Sequence, residues 1–154
     1  MGIIIGIDPG KAGGIAVVST EASTCIDMPL LASGEIDSLG IFRFLAKLNA
    51  GKSFCILEKA QAMPQQGAVG TFNYGTGFGK IQAVLEILQI PYEEIRPQKW
   101  KKEFSLLKTE KKDSVAMAQK LFPSIEFITP RGRLLDGRAE SCLMAEYGRR
   151  KKGV

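Results

Sequence analysis

The segment Gly2-Ile3-Ile4-Ile5-Gly6-Ile7-Asp8-Pro9-Gly10 carries four isoleucines up to one carboxylate and then turns. Side chains branched at Cβ are confined to few χ1 rotamers and pack well on a pleated strand covered on both faces, so this run reads as a buried strand. Pro9 has no N–H for a ladder and Gly10 can take φ > 0, so pairing stops and Asp8 occupies the last rung, at the sheet edge. A carboxylate in that place needs a partner. A divalent cation is one, and the backbone of its own turn is the other.

Working outward, Gly13 to Ser19 reads as a second strand that returns antiparallel through a Gly-rich hairpin, and Ser23 to Met28 as a third at the edge, with a loop over Pro29 to Glu35. Ile36 to Leu48 has apolar residues at Ile36, Leu39, Phe42, Leu45, Ala46 and Leu48, the spacing of an amphipathic helix, stopped by Asn49-Ala50-Gly51. Phe54-Cys55-Ile56-Leu57-Glu58 then repeats the opening pattern, an apolar run ending on an acid.

Lys59 to Gly79 has no helical period and is rich in Gln and Gly, which predicts a long polar loop of the kind that is kept for function. Its large apolar side chains are Met63, Phe72, Tyr74 and Phe78. Phe72 and Phe78 can anchor the loop to the core, or one of the group can stack on a nucleic-acid base. Gly79 to Leu88 reads as a helix with Ile81, Val84, Leu85 and Leu88 on one side, and Ile81, Val84 and Leu85 are the candidate dimer contact. Tyr92 to Arg96 is a short strand. In Pro97 to Lys102, Trp100 stands among Lys99, Lys101 and Lys102, the lysines suited to phosphate contact and the ring to plugging the core or stacking. Thr109 is the expected N-cap of a helix to Leu121 with Val115, Ala118 and Leu121 inward, and Pro123 to Gly132 is a loop or irregular edge. Asp136 to Arg150 closes the chain as a helix with Ala139, Leu143 and Tyr147 in register. Asp136 and Glu140, four apart, share a face, either as a solvated pair or offset by Arg138, a lysine or a metal.

The 154 residues suit one domain spanning 1–154, and 45% hydrophobic with 24% charged residues is a globular composition. No apolar run approaches the ~20 residues of a membrane span, and no basic region precedes the first apolar stretch, so the expectation is a cytoplasmic protein, in the bacterial host if phage-encoded. Histidine is absent, which excludes Ser-His and Cys-His triads and imidazole-bound zinc and leaves oxygen ligands for any metal. Cys25, Cys55 and Cys142 are widely spaced and read as small core residues in a reducing compartment. The net charge of +5 suits an anionic partner, and the basic residues concentrate in Arg96 to Lys112 and Arg131 to Lys152. Lys11, Gln66, Arg131 and Arg133 join Met63, Phe72, Tyr74, Lys99, Lys101 and Lys102 as candidate DNA contacts.

Each acid alone has a plain structural account. Together Asp8 and Glu58 end two strands, Asp136 and Glu140 share a helix face, and the set is that of an oxygen-only divalent metal centre. Two Mg²⁺ ions about 4 Å apart on such ligands clamp a phosphodiester for hydrolysis.

These residues, in order, resemble a known family. Ile5-Gly6-Ile7-Asp8-Pro9-Gly10, Leu57-Glu58-Lys59, the Gly-rich Phe72 to Gly79, Pro97-Gln98-Lys99-Trp100-Lys101 and Asp136-Gly137-Arg138-Ala139-Glu140-Ser141 are similar to the RuvC-like Holliday-junction resolvases of the RNase H/retroviral-integrase superfamily, most of all its small phage-type branch. The resemblance covers nearly the whole chain. It implies an α/β, RNase H-like fold: a five-stranded mixed sheet, its first three strands antiparallel, with helices on both faces. It also implies a homodimer and Mg²⁺- or Mn²⁺-dependent nicking of four-way DNA. The family's metal ligands map onto Asp8, Glu58, Asp136 and Glu140. Lys111 or Lys112 takes the place of the basic residue near the scissile phosphate, with Lys99 or Lys101 further out. In the cellular enzyme the last two acids are usually three apart. Here they are four apart, and the loop after Glu58 also departs from the cellular pattern.

Three other readings remain. Gly6 to Gly14 also resembles the phosphate-cradling turn of actin-like and sugar kinases, which need a second lobe that this length does not supply. A nuclease cutting several branched DNA forms shares the same chemistry. A junction-binding architectural protein shares the fold without the reaction, and the presence of all four acids speaks against it.

Overall fold

The isoleucine run forms β1 (Ile3–Asp8), the middle strand of a five-stranded sheet. The computed structural model describes residues 2–154. After β1 come β2 (Gly14–Val18), β3 (Ser23–Asp27), α1 (Ser38–Leu45), a 3-10 turn over Ala50–Lys52, β4 (Ser53–Glu58), α2 (Gly67–Ile87), β5 (Tyr92–Ile95), α3 (Pro97–Glu103), α4 (Lys111–Leu121) and α5 (Asp136–Lys152). The strand order is β3-β2-β1-β4-β5. β1, β2 and β3 pair antiparallel in sequence, while β4 runs parallel to β1 and β5 parallel to β4. This is the expected mixed sheet, and helices cover both of its faces.

Alternation sorts the strand residues between the two faces. Ile5, Ile7, Ile15, Val17, Cys55 and Leu57 point to one side, where Ile41 and Leu45 of α1 and Ile81, Val84 and Leu85 of α2 close over them. Ile4, Ala16, Val18 and Ile56 point to the other, against Ala139, Cys142, Leu143 and Ala145 of α5, with Trp100, Phe104, Val115 and Ala118 behind. α5 is therefore enclosed, buried from Ala139 to Gly148 except at Glu140. Gly6 permits this closeness. A Cβ there would overlap the Ser141 carbonyl and lie 2.6 Å from the Ala145 amide nitrogen.

Three expectations are corrected, and one segment that the sequence left without an element is a helix. The segment from Lys59 to Gly79 is not one loop: the loop ends at residue 66 and α2 begins at Gly67, so five glycines read as breakers lie within a helix. Packing of its C-terminal half on the sheet overrides their low helix propensity. Gly77 is needed there, because a Cβ would come 2.8 Å from Cγ1 of Ile36. Ile81, Val84 and Leu85 are 0%, 4% and 0% exposed within the chain's own core and so cannot form a dimer contact. Pro97 to Lys102 is helical, as α3, with Pro97 at the first turn, where its missing N–H leaves no gap. The N-cap of α4 is Glu110 rather than Thr109. Glu110 forms a reciprocal capping box with Asp113, while the Thr109 hydroxyl donates to the Leu106 carbonyl at 2.8 Å.

Ile36 also lies outside α1, bridging Leu30, and Asp37 caps that helix by accepting from the Gly40 N–H at 3.0 Å. Phe72 is 74% exposed, so of the two proposed anchors only Phe78 packs against the core. No helix among the described residues is long and apolar enough to cross a membrane.

The approach of β1 to α5 yields a direct test. Gly6→Ala forces a methyl group into the α5 backbone, and neither partner is a flexible side chain that can swing aside. Urea unfolding is expected to show a loss of about 3 kcal/mol, at the upper end for overpacked sites. A loss below about 1 kcal/mol would mean that β1 and α5 separate easily.

Candidate metal and nucleic-acid site

Asp8 is two residues beyond Gly6 and Glu58 two beyond Ile56, so both acids point to the α5 side of the sheet. The parallel register pairs Ile7 with Leu57, which sets Asp8 and Glu58 side by side at the ends of neighbouring strands, about 5 Å apart at the backbone. α5 starts over these ends because Gly137 has no side chain; a Cβ would lie 2.7 Å from the Gly13 carbonyl oxygen. Its first turns then present Asp136 and Glu140, and Glu140 shares a hydrogen bond with Asp8. Four carboxylates from β1, β4 and α5 thus meet at one place. The shared face predicted for Asp136 and Glu140 is what brings them there.

Their electrostatics follow from crowding. Burial first, then the charges of Glu58, Glu140 and Asp136, hold the Asp8 carboxyl well above its ordinary range. Burial also raises Glu58, against an N–H from Trp100 that donates to its Oε2 at 2.9 Å. Glu140 is raised by burial, with Lys101 opposing. Two lysines partly offset the negative charge: Lys111 Nζ is 3.0 Å from Asp136 and Lys101 Nζ 3.7 Å from Glu140. Lys101 also lies over the Trp100 ring, 5.4 Å from its centroid.

The cleft, about 490 Å³, is lined by Asp8, Asp136 and Glu140 with Lys11, Lys101 and Lys111. Tyr74 forms its rim, and burial together with the Asp8 and Glu58 charges pushes the Tyr74 phenol up to about 12. That hydroxyl therefore stays protonated, a neutral donor beside four acids. A second cleft of about 530 Å³ continues past Gly10, Lys11 and Tyr74 to Gln66, Phe72 and Lys80. Met63 is exposed nearby in sequence, its N–H 3.4 Å from the Gln66 side chain.

The other candidates divide. Of the two basic neighbours, Lys111 faces the carboxylates, whereas Lys112 pairs with Glu110 at 3.3 Å. Lys99 is held by Glu93 at 3.0 Å and, with Lys102, borders a groove on the other side of α3. Arg131 and Arg133 sit on an exposed turn before α5 and line neither cleft. Sequence reading did not connect Trp100 to Glu58, 42 residues away, and no local pattern signals that bond.

The donor set fits a hard divalent cation: all oxygen, with negative charge exceeding that of the two lysines. Among the described residues no three Asp, Glu or Cys side chains already converge at ion-binding spacing. The fit is thus one of chemistry and charge.

No protein-family model matches the sequence, and no curated protein does. Solved structures do match in shape. One is T. thermophilus RuvC in complex with Holliday junction substrate, with a TM-score of 0.70 over 99% of this chain and 97% of that one at 14% identity. Another is the Thermus thermophilus RuvC structure, with a TM-score of 0.63 over 97% and 96% at 17% identity. The chain has the RuvC-like fold.

Two outcomes are expected of the carboxylate cluster. Carboxyls raised in the folded state bind more protons there than in the unfolded chain. Their contribution to stability is full below the ordinary carboxylate range and is lost as pH rises through the folded-state values. Without divalent metal, Asp8→Asn is therefore expected to melt higher than wild type at pH 8, with the gap closing toward pH 5. A lower melting temperature for Asp8→Asn at pH 8 would show that the acids are not in conflict. Trp100→Phe removes the donor to Glu58 and should raise the Glu58 carboxyl further, read by carboxylate NMR titration; an unmoved titration would dismiss that hydrogen bond.

Proposed function

We propose that this protein is a RuvC-like resolvase of the phage-type branch, a divalent-metal-dependent endonuclease that nicks four-way DNA junctions and acts as a homodimer of one nuclease domain. The observation that carries the reading is that Asp8, Asp136 and Glu140 line one lysine-flanked cleft, with Glu58 beside Asp8 close enough to raise its carboxyl. The likeness in fold to a protein solved with a Holliday junction supports the substrate class.

The four acids would hold Mg²⁺, or Mn²⁺ in its place, which supplies Lewis-acid charge at the scissile phosphate and lowers the pKa of the attacking water. The chain's own residues do the rest. Trp100 fixes the orientation of Glu58 through its N–H. Lys111 and Lys101 stand at the two acids of α5, within reach of a phosphate placed between them. Tyr74, protonated at every working pH, offers a donor to the DNA backbone at the rim. Lys11 continues the positive lining toward the second cleft, whose Phe72 and Gln66 are available to an unstacked base. A homodimer is part of the proposal because the junction has two-fold symmetry, so an isologous pair presents one cleft to each of two equivalent strands.

The test is cleavage of labelled four-way, three-way, flap and linear DNA in Mg²⁺. Paired symmetric nicks confined to the four-way junction are expected; cuts across several branched forms would make this a general debranching nuclease. Asp8→Asn and Glu58→Gln should abolish cutting while leaving junction binding intact or tighter. Binding lost in step with cutting would count against these acids as metal ligands. Lys111→Ala should lower the slope of log affinity against log salt by about one if its ammonium meets one phosphate. An unchanged slope would place the DNA track elsewhere.

A further inference from the structure

We propose that the groove between α3 and the C-terminal end of α5 is a second phosphate-binding surface that grips a duplex arm about seven base pairs from the cut; this rests on the branched-DNA reading above. The groove, about 710 Å³, is bordered by Lys99, Lys102, Lys151 and Lys152 against two acids, Glu93 and Glu103, a net excess of two positive charges. It lies away from the four carboxylates and shares no lining residue with their cleft.

α3 runs beside α5 and divides its lysines between the two places. Lys101 reaches Glu140 near the start of α5, while Glu103 pairs with Arg150 and Lys151 at its end. Lys99 and Lys102, three apart, share the face turned to the groove. Positive charge therefore follows the α3–α5 seam from Lys111 and Lys101 at the acids to Lys151 and Lys152 at the far end. At 1.5 Å per residue, Asp136 and Lys152 are about 24 Å apart along the helix. That equals about seven steps of B-form DNA at 3.4 Å each.

Internal pairing accounts for only part of this charge. Lys99 is held by Glu93 at 3.0 Å and Lys151 by Glu103 at 3.0 Å, and Arg149 and Arg150 both bond Glu146. Among the described residues Lys102 and Lys152 form no salt bridge. Lys152 stands over the Phe54 ring at 3.8 Å from its centroid, which fixes the ammonium at the groove without neutralising it. Two ammoniums without acidic partners on a concave surface, at the far end of the seam whose near end carries the acidic cleft, fit a phosphate backbone.

The experiment measures junction affinity against salt, in EDTA to prevent cutting, for wild type and the double variant Lys102→Ala/Lys152→Ala. Both residues are exposed, and the variant loses only the Lys152–Phe54 contact, so it should fold as wild type does with at most a small drop in melting temperature, and its melting curve is recorded beside the binding. The expected result is a fall in the salt slope of about 1.8, two phosphate contacts at 0.9 each. A matched junction carries methylphosphonate linkages six to eight nucleotides from the crossover. It should show the same reduced slope with wild type and no further reduction with the variant. An unchanged slope, with wild type binding the junction, overturns this inference alone and assigns the groove to another anionic partner such as an acidic protein segment. If the methylphosphonate and variant effects add in full, the two lysines do not meet those phosphates, which also overturns it. Failure of wild type to bind any branched DNA removes both this proposal and the reading beneath it.

Discussion

β1 and α5 meet backbone to backbone at Gly6, where the Ser141 carbonyl and the Ala145 amide occupy the space a side chain would need. A helix on a sheet is ordinarily held off by the side chains between them. Here the separation is reduced at one rung of the central strand, and the position of α5 is fixed by contact rather than by interdigitation. Strand parity then aligns Asp8 and Glu58 with α5, and the parallel register of β1 and β4 makes them neighbours. Gly137 repeats the device at the start of α5, against Gly13. The carboxylates are brought together because two backbones are.

α5 carries acids under opposite electrostatic regimes. Glu146 is buried in the seam, and burial alone would raise its carboxyl. Arg149 and Arg150 each donate to it at 2.7–2.9 Å, and their charge prevails, so it lies below its ordinary range. Glu140, two turns earlier, is also largely enclosed; Lys101 at 3.7 Å, the hydrogen bond with Asp8 and the more distant Lys111 do not outweigh burial and the Asp136 charge, and its carboxyl is raised. Exposure does not separate the two. Cationic partners at bonding distance do, and the under-partnered acids are gathered at one end of the helix while the satisfied one sits at the other. A fold optimised for stability alone would pair them all.

Much of this was legible in the sequence, and the physical reasons are specific. The strands read correctly because the isoleucines of β1 and the short apolar run Phe54–Leu57 of β4 leave few alternatives, and each run ends on its acid. The shared face of Asp136 and Glu140 followed from helical period alone. Glycine misled in α2, where it reads as punctuation, and the sequence reading assigned α3 no element. In α3 the proline opens the helix. Trp100 was recognisable as a core residue, yet its N–H toward Glu58 depends on β5 pairing with β4, which no local pattern encodes. The choice of Lys111 over Lys112 likewise turns on the capping box of Glu110 and Asp113, which sets the rotation of α4 relative to Asp136.

α2 shows how unevenly packing can support one helix. Gly67 opens it with φ +72°, where glycine is the favoured residue, and the other four glycines together cost about 3 kcal/mol relative to alanine. Burial of Ile81, Val84 and Leu85 contributes about 6 kcal/mol, enough to offset them, and all three lie in the C-terminal half. The first turns carry Gly67, Gly70 and Gly75 with Val69 and Phe72 in solvent, and have no comparable return from the core. They exist because a helix once nucleated extends at low cost. Their opening free energy is correspondingly small beside that of the packed half. Tyr74, Phe72 and Gln66, the residues that connect the acidic cleft to its neighbour, all belong to this weakly held end. The acids sit beside a backbone-to-backbone contact and the rim beside them on a weakly packed helix end, so the rim can be reshaped without displacing the carboxylates.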